Sequence, residues 1–129
     1  MEYRPAASSS QATRKILWLS FLIAIIAYGV VGYLVFTGEV RPSPVPYWVW
    51  PLLAVFAAAA AFVLPSRIAD MAPETDSAVR VPEILGWALA ETVAIVGLVS
   101  VALGAPRGPL AVYLAASAVL LWFLRPTTD

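Results

Sequence analysis

From Ile16 to Phe36 the chain reads ILWLSFLIAIIAYGVVGYLVF, 21 residues without a charged side chain. A helix rises about 1.5 Å per residue, so this stretch matches a hydrocarbon core of about 30 Å. Inside that core every backbone N–H and C=O must find a partner within the protein, which predicts a membrane-spanning helix. The stretch follows a basic Arg14-Lys15 step, as a secretory signal would. It is longer than the roughly 7–15 apolar residues of a signal core, and no Ala-x-Ala-like cleavage site follows it, so a retained span is expected.

Three further apolar stretches give an all-α polytopic membrane protein of four transmembrane helices in two hairpins, with spans at about 16–36, 47–64, 84–103 and 110–124. The connector TGEVRPSPVP closes the first span, because its prolines forbid helix continuation. Pro51 suits the first turn of the second span and Pro65 is expected to end it; the run Ala57 to Ala61 between them lets another backbone approach closely. Ser66 to Val81 reads as a polar loop, and Pro82-Glu83 then suits a helix start, with the acid facing the positive end of the helix dipole. The fourth span is short and must thin the bilayer, extend at its ends or pack inside an assembly. Residues 1–13 read as a disordered tail ahead of a membrane domain at 14–129.

Composition agrees and removes whole classes of function. The chain is 61% hydrophobic with mean hydropathy +0.84, and 12% of it is charged, against the roughly 25% of a soluble domain. Net charge is zero, with no basic cluster beyond Arg14-Lys15, so no nucleic-acid partner is expected. The absence of cysteine and histidine removes disulfides, thiolate chemistry, Ser-His triads and the commonest zinc and haem ligands. With no second catalytic group beside any candidate, an enzyme is not expected. Arg4, Arg14, Lys15, Arg67, Arg80 and Arg125 fall on one side and Arg41 and Arg107 on the other. That bias places both termini in the cytoplasm, at a bacterial cytoplasmic membrane. Trp18, Trp87 and Trp122 then lie near the inner boundary, and Tyr33, Tyr47, Trp48 and Trp50 near the outer one, where they read as interfacial anchors.

One residue breaks the apolar pattern. Glu91, in ALAETVAIVGLVSVALG, lies eight residues past Glu83, or about 12 Å along the third span and close to mid-membrane. A carboxylate there is costly, so it is usually protonated, paired or functional. Glu91 shares a helix face with Ile84, Trp87, Ala88, Ala94, Ile95 and Leu98, and Thr92 follows it with the one local hydroxyl. A neighbouring stripe of Gly86, Ala90, Ala94 and Gly97 has the small-residue spacing of a helix seam. Three roles stay open for Glu91: a neutral acid bonded to a neighbouring helix, a reversible proton or sodium site with Thr92, or a salt bridge to a cation. The last needs an outside partner, since no Lys or Arg of the chain lies at that depth. Gly29 and Gly32 read as packing positions, and Ser20, Ser100 and Ser117 as hydroxyls bonded back to their own helices.

The run ALAETVAIVGLVSVAL resembles the carboxylate-bearing helix of the rotor-ring c subunit (proteolipid) of F-type and V-type ATP synthases, over about sixteen residues. The order of an alanine-rich span, a polar loop and the Glu91 span is also similar to that hairpin. Val96 stands where that family carries a tyrosine, an alanine run replaces its alternating glycines, and two further spans flank the hairpin. The whole chain looks like small, largely uncharacterised bacterial four-span membrane proteins with a similar third helix. The resemblance implies a homo-oligomer or larger membrane complex, in contact with lipid, carrying a proton or sodium ion at Glu91 with help from Thr92 and needing no other cofactor. A structural or accessory subunit is the alternative. A small proton-coupled exporter is the third reading, although such exporters usually hold their glutamate in the first span.

Overall fold

The computed structural model describes residues 6–36, 42, 44–71 and 81–126. They form four helices: α1 (Ala6–Leu34), α2 (Val49–Met71), α3 (Val81–Ala102) and α4 (Leu110–Phe123). No strand occurs among the described residues. α1, α2 and α3 are long and apolar enough to cross a membrane, while α4 is apolar but has 14 residues.

Helix boundaries differ from the sequence expectations in two places. α1 starts at Ala6, so residues 6–13 are helical although they read as a tail. Between Ala6 and the apolar run there is no glycine or proline, and extending an existing helix costs little compared with starting one. Residues 1–5 lie outside the described residues. α2 does not stop at Pro65 but continues to Met71, which draws Ser66 to Met71 out of the expected loop and into the helix; residues 72–80 lie outside the described residues. An interior proline takes away a backbone donor and is tolerated in membrane helices where a neighbour makes up for it. Here Gly86 of α3 faces the break: a Cβ on it would lie 3.3 Å from Pro65 Cγ and 3.6 Å from the Ala61 carbonyl oxygen.

α3 ends in a glycine-dependent turn. Gly104 has φ 105°, a left-handed conformation that L side chains resist. Its N–H bonds the Val101 carbonyl at 3.1 Å, and the Ala105 N–H bonds Ser100 O at 2.9 Å. This paired closure satisfies carbonyls the helix would otherwise leave open and turns the chain into α4.

α3 is the central element. It packs against α1, α2 and α4, whereas α1 and α2 make no contact with each other among the described residues. Residue pairs fix the directions. Arg14 meets Glu83 and Arg107 meets Tyr33, so α1 and α3 run parallel. Gly86 faces Pro65, and Gly97 faces Tyr113, so α2 and α4 run the other way. Small residues make these approaches possible. Ala61, Ala90 and Ala94 are fully buried, and Ala57, Gly86 and Gly97 are buried with them. Gly29 and Gly32 of α1 lie against Leu114 and Leu110 of α4. Ser20 and Ser100 bond their own helices, through Ile16 O and Gly97 O. Ser117 instead crosses to α3 and donates to the Ala90 carbonyl at 2.6 Å.

A 14-residue helix is about 21 Å long and falls short of a core of about 30 Å. Its last carbonyls therefore need partners from the protein. Trp18 of α1 donates its indole N–H to Leu121 O at 2.8 Å, and Trp87 of α3 donates to Leu124 O at 2.8 Å. Arg125 bonds Trp122 O through its side chain at 2.9 Å. Trp18 is half-buried and Trp87 is 1% exposed, so neither is a free interfacial anchor; Trp122 remains exposed.

Two substitutions test this packing. Gly97→Ala would set a Cβ 2.6 Å from Tyr113 Cβ and is expected to destabilise the bundle by about 1–3 kcal/mol, read as a lower unfolding midpoint in mixed detergent micelles. Trp87→Phe keeps most of the buried ring but leaves the Leu124 carbonyl unpaired. A loss of about 1–3 kcal/mol is expected in the same assay.

Candidate functional site

Glu91 occupies the third turn of α3, and its side chain is only partly buried. The Tyr28 hydroxyl of α1 donates to Glu91 Oε1. Sixty-three residues separate the two in sequence; they meet because α1 and α3 run parallel. On α1, Arg14, Trp18, Phe21, Ile25, Tyr28 and Gly32 recur every three or four residues and so share one face. That face lies against α3 and α4. Phe21 packs its ring 6.1 Å from Trp87, and Ile25 is buried.

The partner of Glu91 is thus a neutral hydroxyl. The cations among the described residues, Arg14, Lys15, Arg67, Arg107 and Arg125, flank the apolar stretches and do not lie at their middle. Arg14 belongs to Glu83, with Nη2 at 2.6 Å and Nε at 3.1 Å from Oε2. Glu83 therefore serves both as the acid of the first turn of α3 and as the anchor of α1. At the other end Arg107 donates to the carbonyls of Tyr33, at 2.8 Å, and Phe36, at 3.4 Å, while the Tyr33 hydroxyl returns a bond to Arg107 O at 3.2 Å.

Thr92 lies next to Glu91 in sequence but its hydroxyl donates to Ala88 O at 2.8 Å, back along its own helix. Gly86, Ala90, Ala94 and Gly97 lie on the buried side of α3, beside Glu91 but not in its hydrogen bonding. Ala57 and Ala61 are buried positions of α2. An apolar cavity of about 400 Å³ lies between α2 and α4, with Pro51, Ala54, Ala58, Val93 and Tyr113 among its lining. Val93 is two positions from Glu91 and so on a different face of α3, which separates that cavity from the carboxyl. No group of three metal-ligating side chains occurs among the described residues.

Tyr28 was the part of the site that sequence reasoning passed over. Its signal is depth. Tyr33 can reach an interface, but Tyr28 lies twelve residues into the span, about 18 Å from its start, where a phenol needs an acceptor inside the protein. Glu91 is the ionisable acceptor at that level.

Neither a protein-family model, nor a characterised protein, nor a solved structure matches the chain.

Removing the hydroxyl with Tyr28→Phe is expected to destabilise the fold by about 0.6 kcal/mol, the average for interhelical side-chain hydrogen bonds in a membrane bundle, and by no more than about 1.7 kcal/mol. Glu91→Ala combined with Tyr28→Phe should then cost less than the sum of the two single changes, a double-mutant cycle read by unfolding in mixed micelles.

Proposed function

We propose that this is a small integral protein of a bacterial cytoplasmic membrane that acts as a homo-oligomer or within a larger membrane complex and carries an exchangeable proton or sodium ion on Glu91. The observation that carries the reading is the pairing of a partly exposed mid-span carboxyl with a neutral hydroxyl, Tyr28, in place of a cation. An ionisable group at that depth without a fixed counter-charge is by default a candidate site for proton or ion exchange. The resemblance of Ala88 to Leu103 to the rotor c subunit supports the same reading, although Val96 departs from that family's tyrosine. The six-to-two bias of basic residues supports an orientation with both termini in the cytoplasm.

A second reading, a structural or accessory subunit, is favoured by a different observation. The Tyr28–Glu91 bond is one of several polar links along α1, between Arg14–Glu83 and Trp18–Leu121 on one side and Tyr33–Arg107 on the other. In that role Glu91 holds helices and exchanges nothing.

A hydrophobic carbodiimide, which attacks protonated carboxyls in apolar surroundings, separates the two. Membrane-embedded protein is labelled across pH and mapped by mass spectrometry. Labelling of Glu91 that rises and falls with pH is expected; a Glu91 that resists at every pH makes the structural reading the right one.

A further inference from the structure

We infer that the apolar cavity between α2 and α4 is a binding site for one acyl chain of a diacyl glycerolipid, and that the Tyr113 hydroxyl recognises the ester group at the head of that chain. α2 and α4 each pack on α3 and only slightly on each other. Alanines on both walls, Ala54 and Ala58 from α2 and Ala116 from α4, leave the space between them unfilled, and Val93 of α3 closes its back. The two helices run the same way, so Pro51 and Pro109 mark one end of the cavity and Ala58 and Ala116 the other. Each wall covers seven residue steps, from 51 to 58 and from 109 to 116, or about 10 Å along the helix axes. One leaflet contributes about 15 Å of a hydrocarbon core of about 30 Å, so the cavity suits a single chain of that leaflet lying along the helices.

The lining decides the occupant. Val55 and Val112 at the mouth are 64% and 69% exposed, and on helices of this apolarity they face lipid, so the cavity is continuous with the lipid phase. A void of about 400 Å³ forfeits the dispersion contacts of its walls, and a water molecule there needs two to four polar partners. The lining offers one polar side chain, Tyr113. A side chain from another protein enters across the helices and fills a fraction of the length, whereas an acyl chain already runs along it. The Tyr113 Cβ packs against Gly97, and its hydroxyl has no hydrogen-bond partner among the described residues. Side chains on a helix lean toward its N-terminus, here toward Pro109. A donor near that end of the cavity meets the carbonyl where an acyl chain joins glycerol.

The test places the full chain in liposomes of phosphatidylcholine carrying a diazirine partway along one acyl chain and maps the photolabelled residues by mass spectrometry. Label on Val93 and Ala54, otherwise 2% and 8% exposed, is expected beside label on the exposed Ile23 and Ile26 of α1. Filling the cavity from either wall, with Ala58→Phe or Ala116→Phe, is expected to remove the label from Val93 and leave that on α1. Diether phosphatidylcholine keeps the chains but lacks ester carbonyls. It is expected to compete about threefold less well than the diester lipid in wild type and equally well in Tyr113→Phe. Label confined to exposed residues, or label on Val93 that survives both filling variants, overturns the site. An interchain disulfide at Val112→Cys, in a chain with no other cysteine, together with an unlabelled Val93, puts a second copy in the cavity and overturns the lipid assignment. Equal competition by the two lipids in wild type overturns the role given to Tyr113.

Discussion

A helix shorter than a hydrocarbon core must have its end carbonyls satisfied by the protein wherever water does not reach them, and α4, at 14 residues, is shorter than such a core. Two neighbouring helices meet at its C-terminal end. Trp18 and Trp87 close the Leu121 and Leu124 carbonyls from two different helices, and each indole fixes the rotation of the helix that carries it. With Trp18 turned inward, the face of α1 that also bears Phe21, Ile25 and Tyr28 must turn inward too. With Trp87 turned inward, Glu91, one turn further along α3, faces α1. The polar contact between Tyr28 and Glu91 thus depends on how a backbone end is satisfied one turn away along α3 and nearly three turns away along α1.

Close approach does the remaining work. Lipid tails are as apolar as leucine, so apolar side chains gain little by leaving lipid for another helix, and packing and hydrogen bonds must hold the helices together. α3 has the residues for it: glycines at 86 and 97 that admit Pro65 and Tyr113, with fully buried Ala90 and Ala94 between them. α1 is built differently. Much of its surface is exposed, including Ile16, Ile23, Ile26 and Leu34, and its attachment relies on hydrogen bonds and one ion pair spaced along its length.

Most of the architecture was legible in the sequence, because membrane spans are announced by length and polarity alone. The four helices, the small-residue side of α3 and the isolation of Glu91 all follow from that logic. What was not legible depended on partners distant in sequence. Pro65 reads as a stop because a proline cannot donate, yet α2 runs through it to Met71 with Gly86 of α3 packed against it. Trp18 and Trp87 read as interfacial anchors because that is the commonest use of tryptophan at such depths, yet both are donors to α4. Ser117 reads as bonded to its own helix and crosses to Ala90 instead. Tyr28 carried a usable sign, a phenol too deep to reach water, but its pairing with Glu91 requires knowing that α1 lies beside α3.

That α1 and α2 do not touch among the described residues has a consequence for biogenesis. A ribosome delivers the two first spans well before α3 emerges, and neither can recognise the other. Each must wait in the lipid as a separate helix, α1 with Trp18 and Tyr28 lacking their acceptors and α2 with its break at Pro65 uncovered. Synthesis of α3 and α4 then gathers both at once. The contacts that gather α1 and α2 into one bundle are therefore those made by α3 and α4.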